Sequence, residues 1–430
     1  MITHNSKKQT STQSSLVSFI TFFKVVVIRI FFVAYEKKET QLIIRHWIRI
    51  LKIKLGWINE FDKLVVNYAT TFFMLDTFCS SSKVFKIFTG HTDFVNSIDY
   101  FTLDGDQLLC SGSDDKTVRV WNIETNKQIQ LCSYSNWVSC VIFSQYHYHN
   151  YRRNVICSSL GDNTIQFWDI KYNQQFQIFD EHTDGVSGIE FSSFNGGRYL
   201  CSGSFDNTIC LWDVETSKSL YIFNGHEGGV WCVSISPLQS NNNDNINNKS
   251  NNIGVIGGNG YTICSGSWVE LFVYGILKQQ NNYCLRSVKY GSNELGNIGG
   301  ANTILSGSSD QSVRLWDIRS GQQIQVFNGH KNYVYDVEYS PFVIKNNIDA
   351  VCSNVICSGS RDNTIRFWDI RSNKKKLYMI KGDKKEENGI KCLKFVILKK
   401  KGKKSEQKLG DDCSVNLCYG STKGPICIWG

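Results

Sequence analysis

One motif recurs along the chain and constrains its fold more than any other feature. CSGSDDKTVRVWN (110–122), CSGSFDNTICLWD (201–213), LSGSSDQSVRLWD (305–317) and CSGSRDNTIRFWD (357–369) are close copies, and CSSLGDNTIQFWD (157–169) is a fifth. In chain order the copies begin at residues 110, 157, 201, 305 and 357, so they lie 44 to 52 residues apart when one irregular copy is placed between 201 and 305. A repeat of this length is one supersecondary unit that buries its core by stacking on its neighbours.

Each unit is predicted to consist of short antiparallel strands. Apolar and polar residues alternate in stretches such as TIRFWDI, and GSxD marks a turn before them. The composition agrees, because the chain has 34 Gly, only three Pro and 13% aromatic residues. The sequence therefore predicts an all-β protein.

The repeat resembles the WD40 family of β-propellers, because Gly-His stands early and Trp-Asp late in units of this length. The resemblance covers residues 83–430, where counting the units implies a seven-bladed propeller. We expect residues 1–82 to form a separate N-terminal extension. The segment 83–88, KVFKIF, matches the strand that elsewhere follows Trp-Asp. It is predicted to complete the last blade and so to close the ring.

The resemblance implies that each blade is held by a buried tetrad of His, Ser, Asp and Trp whose polar groups satisfy one another. The units that match in full supply His91, Ser111, Asp115 and Trp121; His182, Ser202, Asp206 and Trp212; and His330, Ser358, Asp362 and Trp368. Two units depart from the pattern. Tyr134 takes the His position beside Ser158, Asp162 and Trp168, and the last unit has Asp383 there and keeps only Trp429.

The recurrence of these residues in several units favours a structural role over catalysis, since an active site would occur once. The sequence contains no nucleophile and base set, Gly-rich phosphate loop or zinc-ligand spacing outside the tetrads. We therefore expect a protein that is not an enzyme and that needs no metal or cofactor.

The irregular copy begins CSGSWVELFVYG at residue 264. Its Asp and Trp positions hold Val269 and Gly275, and Ser265 to Val288 is shorter by about one strand than Ser202 to Val233. The flanking sequence is regular, so a local frame change or an altered splice accounts for the replacement better than gradual drift. We expect a degenerate junction between blades four and five, in which VELFVYGIL forms a third strand and blade four has no proper fourth.

The N-terminal extension contains two apolar segments. Residues 16–34 form a candidate membrane span, although Lys24 and Arg29 each oppose insertion by about 2.5 to 3.5 kcal/mol. A segment buried in protein or mistranslated is the equal alternative. Residues 40–58 place Ile44, Trp47 and Leu51 at helical spacing and predict an amphipathic helix.

Cysteine usage and charge bear on compartment and partners. Five of the 16 cysteines stand directly before a Ser in the same local sequence of the repeat: Cys110, Cys157, Cys201, Cys264 and Cys357. This repetition is typical of small buried side chains in a reducing compartment. We therefore expect a cytoplasmic protein, associated with a membrane if residues 16–34 insert. The Lys-rich stretch 398–404 would suit nucleic acid or anionic lipid, but no aromatic residue interleaves with the lysines. This disfavours nucleic acid.

The leading hypothesis is a scaffold or adaptor that binds a protein or peptide on the top face of the propeller and belongs to a multiprotein complex. A membrane-tethered adaptor anchored by residues 16–34 is the alternative. In the WD40 family, residues beside the first apolar position of the inner strand and before the tetrad Asp line the top rim. Carried over to this sequence, they are Phe94, Trp137, Phe205, Trp231, Tyr333, Tyr335 and Arg361. Aromatic and Arg residues of this kind dominate binding hot spots.

Overall fold

The computed structural model of the protein describes most of the repeat region. The described residues are 78–79, 83–103, 105–193, 195–236, 263–268, 270–273, 277–280, 284–291, 303–318, 320–340, 355–370, 376–383, 385–399 and 413–430. The chain divides into two compact units, Met1–Ala69 and Thr70–Gly430, and every described residue belongs to the second. The predicted segments 16–34 and 40–58 lie outside the described residues. The predicted boundary at residues 82 and 83 stays a prediction.

The described residues form seven antiparallel sheets of four strands each. We call each sheet a blade and number the blades by their inner strands. The inner strands are β2 (Val95–Leu103), β6 (Val138–Phe143), β10 (Val186–Phe191), β14 (Val230–Ile235), β18 (Leu285–Tyr290), β22 (Val334–Tyr339) and β26 (Ile390–Lys399). The second strands are β3 (Asp106–Ser113), β7 (Val155–Leu160), β11 (Tyr199–Ser204), β15 (Ile263–Ser267), β19 (Thr303–Ser308), β23 (Val355–Ser360) and β27 (Cys413–Ser421).

The remaining strands complete the blades. The third strands are β4 (Thr117–Asn122), β8 (Ile165–Asp169), β12 (Thr208–Asp213), β16 (Glu270–Val273), β20 (Ser312–Asp317), β24 (Thr364–Asp369) and β28 (Ile426–Trp429). The outer strands are β5 (Lys127–Ser133), β9 (Gln174–Phe179), β13 (Lys218–Asn224), β17 (Leu277–Gln280), β21 (Gln323–Asn328), β25 (Lys376–Lys381) and β1 (Val84–Phe88). One short helix, α1 (Gln145–Tyr151), connects β6 to β7 within the described part of the chain.

The blades are arranged in a closed ring. Each inner strand contacts the inner strand of the next blade, and β26 of blade seven contacts β2 of blade one. A separate cluster of buried apolar side chains lies at each of the seven junctions between neighbouring blades. The second strands are buried along most of their length, and VICSSL of β7 is buried throughout, because both of their faces pack on neighbouring blades. The architecture is an all-β propeller.

The recurring Ser-Gly-Ser and Asp-Asn sequences have local causes. Gly203 packs closely against the next blade. A Cβ atom built there would stand 2.6 Å from Val230 Cγ1, which is too close for a side chain. Asn207 follows the tetrad Asp and has a φ of 70°, and Asn163 and Asn363 occupy the same left-handed conformation. Asn adopts this conformation more readily than most residues, which explains its place in the turn.

The last blade is completed from the start of the repeat region, as the sequence predicts. β1 pairs antiparallel with β28, with Val84 opposite Trp429 and Phe88 opposite Ile426. Phe88 is buried and packs against Trp121 of blade one. The pairing covers the edge that β28 would otherwise expose.

The expectation that blade four has no proper fourth strand is wrong. β16 pairs with β15, and β17 pairs with β16 through four residues, from Glu270 opposite Gln280 to Val273 opposite Leu277. The predicted irregularity is therefore one of length, because these two strands have four residues each where β12 and β20 have six. Backbone pairing needs no particular side chain, so a replaced sequence of sufficient β-propensity still forms the strands.

Candidate functional site: the top mouth of the propeller

The predicted tetrads first establish which polar side chains are engaged in the blades themselves. In blade one His91 Nδ1 lies 2.8 Å from Asp115 Oδ2, and His91 Nε2 lies 2.7 Å from Ser111 Oγ. Trp121 donates its indole N–H to the same Ser111 oxygen at 3.0 Å. Because a carboxylate only accepts, the chain of donors runs from Trp to Ser to His to Asp.

The same chain recurs in blades three and six. His182 lies 2.8 Å from Asp206 and from Ser202, and His330 lies 3.0 Å from Asp362 and 2.8 Å from Ser358. In both blades Trp donates to Ser at 2.8 Å, from Trp212 and Trp368 respectively. All these groups are satisfied inside the blade, which leaves no side chain of these tetrads to act on a substrate.

A threonine that the sequence reasoning missed completes each of these tetrads. Thr117 donates its hydroxyl to Asp115 Oδ1 at 2.6 Å, and Thr208 and Thr364 do the same in blades three and six. Burial by itself would raise the pKa of Asp115, but hydrogen bonds from His91 and Thr117 hold that pKa below its ordinary value. The Thr in the repeated Asp-x-Thr sequence was the available signal.

Three other blades satisfy the same positions partly. In blade two the Tyr134 hydroxyl lies 3.3 Å from Ser158 Oγ, while Trp168 turns away and donates to Asn173 Oδ1 at 3.2 Å. In blade five Trp316 donates to Ser306 at 2.8 Å. In blade four His226 Nε2 lies 2.7 Å from Ser265 Oγ, although the Asp and Trp positions of that copy are replaced.

Blade seven builds a different buried chain that the sequence reasoning did not find. Tyr419 occupies the strand position held elsewhere by the first Ser, since it lies opposite Leu393 as Ser111 lies opposite Ile98. Trp429 donates its indole N–H to the Tyr419 oxygen at 3.2 Å, and the Tyr419 hydroxyl donates to Glu387 Oε1 at 3.0 Å. Glu387 is buried and its second oxygen accepts the Asp383 N–H at 2.8 Å.

The cavity enclosed by the ring is the site that remains for binding. It has a volume of about 1030 Å³ and is lined by residues of all seven inner strands. Every inner strand has a β-bulge one residue after its start, where the register shifts against the second strand. A bulge re-aims the extra side chain. The seven residues at this position all line the cavity: Asn96, Ser139, Ser187, Trp231, Arg286, Tyr335 and Lys391.

These bulge residues divide the mouth of the cavity into two unlike halves. Blades one to three carry small polar residues there, whereas blades four to seven alternate aromatic and cationic side chains. The Arg286 guanidinium lies 4.8 Å from the Trp231 ring centre and 5.4 Å from that of Tyr335. The Lys391 ammonium lies 4.4 Å from the Tyr335 ring and 5.9 Å from that of Phe94. We call the row formed by Trp231, Arg286, Tyr335 and Lys391 the cation–aromatic ladder.

The structure brings most of the predicted top-face residues to this mouth. Those that line the cavity are Phe94, Trp137, Phe205, Trp231 and Tyr335. Tyr333 and Arg361 lie beside them, because Arg286 contacts the Tyr333 ring at 5.2 Å and Arg361 contacts it at 6.0 Å. Their role in binding a partner stays a prediction.

Three further mouth residues were missed. Arg286 and Lys391 occupy the bulge position of Trp231 and Tyr335, but their blades have no Gly-His to mark it. Trp268 is 55% exposed, lies 5.8 Å from Trp231 and follows Ser-Gly-Ser just as Phe205 does. Alignment to the start of each inner strand and to Ser-Gly-Ser would have identified all three.

Below the mouth, charged side chains of opposite sign face one another inside the cavity. Lys394 Nζ lies 2.9 Å from Asp99 Oδ1, and Lys289 is surrounded by Glu338, Glu190 and Asp336. Burial opposes ionisation of Lys289, yet these carboxylates raise its pKa above the ordinary value. Burial raises the pKa of Glu338, and the attraction of Lys289 offsets part of that rise. The layer is therefore paired within itself.

Other predicted features yield less. Among the described residues there is no group of His, Cys, Asp or Glu side chains that could hold a metal ion. The cysteines of this part of the chain have free thiols, and burial raises the pKa of those of Cys110 and Cys201. In the described segments no helix has the length and apolar character needed to cross a membrane. Residues 400–404 of the Lys-rich stretch lie outside the described residues.

The closed ring and its repeated tetrads define the class of this protein as a repeat-built β-propeller. Five segments of the chain match the family described as WD domain, G-beta repeat: residues 82–122, 173–213, 217–241, 284–317 and 321–369. The chain therefore contains WD40 repeats. The strands outside the matched segments include β6 to β8 of blade two, where Tyr134 replaces the tetrad His, β15 to β17 of blade four, and β26 to β28 of blade seven.

Several known proteins are similar to this chain over short stretches. The chain is 33% identical over 82 residues to Denticleless protein homolog of Gallus gallus, which is 19% of this chain and 10% of that protein. It is 32% identical over 88 residues to a guanine nucleotide-binding protein subunit beta of Oryza sativa subsp. indica, covering 20% and 22% of the two chains. It is 28% identical over 99 residues to eukaryotic translation initiation factor 3 subunit I of Sclerotinia sclerotiorum, covering 23% and 24%. The matches thus span at most about a quarter of these relatives.

Proposed function

We propose that this protein is a non-enzymatic scaffold that binds a protein or peptide at the top mouth of its propeller. The observation that carries the proposal is the set of aromatic side chains at that mouth, of which Trp137 is 40% exposed and Trp268 55% exposed. Large aromatic side chains that stay accessible to water match the residue types that dominate binding hot spots. The polar tetrad groups are satisfied inside the blades and offer no competing site.

The relatives support the proposal that the partner belongs to a larger assembly. Two of the three proteins compared above are named as subunits, one of a guanine nucleotide-binding protein and one of translation initiation factor 3. We propose the same kind of role here, as one component of a multiprotein complex of unknown identity. Cytoplasmic residence is part of the proposal, and the free thiols support a reducing compartment.

The test compares top-mouth variants with a matched surface variant. Tyr335→Ala and Trp137→Ala remove rings at the mouth, whereas Tyr172→Ala removes a ring that is 61% exposed in the turn after β8. We expect the first two variants to fold but to lose the captured partners in an affinity pull-down read by quantitative mass spectrometry. Tyr172→Ala should capture the wild-type set.

Two results would contradict the proposal. Retention of the complete partner set by both mouth variants would remove the top mouth from the interaction. Loss of partners in Lys400→Ala, with the mouth intact, would instead assign binding to the Lys-rich stretch 398–404. Thermal melting of every variant separates lost binding from lost folding.

A further inference from the structure

We propose that the top mouth binds an anionic side chain of a peptide, either a carboxylate or a phosphorylated residue, between Arg286 and Lys391. This inference rests on the proposed function, because it names the chemistry of the partner at the same site. It depends on the charge of the cation–aromatic ladder, on its unpartnered donors and on the open half of the mouth across from it.

The first argument is an excess of positive charge at the mouth. Arg286 and Arg361 lie close enough to Lys391 for their positive charges to affect its ionisation. Asp114 is the carboxylate that acts on Lys391 in the opposite direction. Burial, together with the charges of Arg286 and Arg361, lowers the pKa of Lys391 to about 8, although Asp114 offsets a part of that fall. A cation held beside another cation is stabilised when an anion binds between them.

The second argument is that donors at the mouth have no acceptor. Among the described residues, no hydrogen-bond partner meets the buried Arg286 Nε or the buried Trp231 Nε1. An unpaired buried donor is costly, and such groups commonly mark a place where a ligand completes the hydrogen bonds. A carboxylate or phosphate oxygen accepts from guanidinium and indole N–H groups alike.

The carboxylates deeper in the cavity do not neutralise the ladder. Asp99 pairs with Lys394, and Asp336 accepts hydrogen bonds from Ser287 Oγ at 2.7 Å and from the Leu393 N–H at 2.8 Å. Glu190 and Glu338 surround Lys289. These groups are engaged with one another, and their charge would repel an anion that moved deeper. The site therefore lies at the mouth and not at the centre of the cavity.

The shape of the mouth leaves space on the opposite side. Asn96, Ser139 and Ser187 are small, and Asn96 is already bonded to Asp114 Oδ1 at 2.6 Å. An extended peptide can lie over blades one to three and direct a side chain across toward the ladder. The exposed ring of Trp137 and the half-buried ring of Phe94 would then contact apolar neighbours of that side chain.

A cationic ligand is the opposite reading of the same aromatic rings, and the contacts disfavour it. Arg286 already lies over Trp231, Tyr333 and Tyr335, and Lys391 lies over Tyr335 and Phe94. A lysine or methylated lysine of a partner would have to displace these cations from the rings while being repelled by them.

The experiment selects peptides without assuming a partner. A phage library of random heptapeptides is panned on the immobilised full-length protein, and an enriched peptide is synthesised with fluorescein in three forms. The forms carry the selected acidic residue, phosphoserine at its place, or the neutral amide. We expect enrichment of Asp or Glu and, in fluorescence polarisation, at least about tenfold weaker binding of the amide form. Tighter binding of the phosphoserine form would identify phosphate as the preferred source of the anion.

Charge variants test the two cations directly. Arg286→Gln with Lys391→Gln should remove the difference between the acidic and amide peptides, whereas Lys391→Arg should keep it. Lys127→Gln with Lys218→Gln removes the same charge from exposed positions on outer strands and should bind as the wild type does. If the double mouth variant has a lower melting temperature than the wild type, the test uses Lys391→Gln alone, together with the amide peptide on the wild-type protein.

The outcomes separate this inference from the proposed function. Enriched peptides that lack an acid, or an amide form that binds within about twofold of the acidic form, overturn the anion site. If those peptides still require Tyr335 and Trp137, the top mouth remains the binding surface. If no peptide is enriched, or if enriched peptides bind independently of Tyr335 and Trp137, both proposals fail.

Discussion

Blades six and seven occupy neighbouring positions in the ring but are assembled differently. Blade six takes its strands β22 to β25 in order from one stretch of chain, and its tetrad links His330, Asp362, Ser358 and Trp368. Blade seven takes β26, β27 and β28 from the end of the chain and β1 from far upstream. Its buried chain links Trp429 to Tyr419 and Tyr419 to Glu387.

The difference shows which property of the tetrad matters. Blade six uses a short residue on the second strand and a long imidazole from the preceding loop, whereas blade seven uses the long Tyr419 on the strand and a carboxylate from the loop. In both blades the Trp indole N–H donates to a side-chain hydroxyl, and that hydroxyl in turn donates to a buried acceptor. The blade therefore requires a continuous, satisfied chain of hydrogen bonds across its interior, and several residue sets provide it.

The largest effect is expected from breaking the way in which blade seven is assembled. Deleting residues 1–88 removes β1, exposes the edge of β28 and removes the buried Phe88 side chain. We expect the free energy of unfolding to fall by at least about 4 kcal/mol, since truncating one buried Phe alone costs 3 to 5. Denaturant unfolding followed by circular dichroism measures it.

The matched truncation for this test ends before residue 78. Deleting residues 1–76 keeps β1 and also keeps Phe78, whose ring lies 5.8 Å from that of Phe367 in the cluster between blades six and seven. Its propeller should unfold at nearly the same denaturant concentration as that of the full chain. Equal midpoints for the two truncations would show that β1 is dispensable.

The second prediction compares the two buried chains at their loop residues. Glu387→Ala leaves the buried Tyr419 hydroxyl without its acceptor, and His330→Ala leaves the buried Ser358 hydroxyl without its own. We expect each to cost about 1 to 3 kcal/mol of stability, with Glu387→Gln milder because an amide oxygen still accepts. A cost below about 0.5 kcal/mol for Glu387→Ala would mean that blade seven holds without this chain.

The third prediction compares two tryptophans at the same repeat position. Trp368 donates to the buried Ser358, whereas Trp168 donates to Asn173 in an exposed turn. Trp368→Phe should cost about 1 to 2 kcal/mol, and Trp168→Phe under about 0.5, because water replaces the exposed bond. Thermal melts of the two variants measure these costs in stability. Equal costs would show that the bond to Ser358 does not make Trp368 the more important of the two.

The smallest effect concerns acid. Burial by itself would raise the pKa of Asp362, but bonds from His330 and Thr364 hold it below the ordinary value. A depressed folded-state pKa stabilises the protein fully above the ordinary Asp pKa of about 3.9, and this contribution is lost as the pH falls from there through the lower pKa of the folded state. Burial lowers the pKa of His330, so protonation below about pH 6.5 also opposes folding.

Asp362→Asn tests this sign. The variant should melt below the wild type at neutral pH, and its melting temperature should decline less steeply between about pH 5 and pH 3. Differential scanning calorimetry at several pH values measures both slopes. Parallel slopes would show that blade six contributes nothing to the acid sensitivity.

Prediction from the sequence succeeded where the repeat is regular and failed where a different residue type fills a structural role. The closing strand and the units with complete motifs could be predicted because their residues recur at the same positions of the repeat. Glu387 and Tyr419 were not, since neither residue type belongs to the repeat and their contact joins a loop to a strand across the blade. Arg286 and Lys391 were missed because the search for the mouth relied on Gly-His.

The sequence by itself determined that this protein is all-β, built from WD40 repeats, and closed by a strand that precedes the first repeat. Short-range alternation, turn residues and repeat spacing carry that information. Only the tertiary structure decided that blade four keeps a fourth strand, that blade seven rebuilds its buried chain, and that four bulge residues form the cation–aromatic ladder. The reason is physical. The fourth strand rests on backbone pairing and the buried chain on a contact between a loop and a strand of one blade, whereas the ladder needs side chains from different blades that meet only when the ring closes.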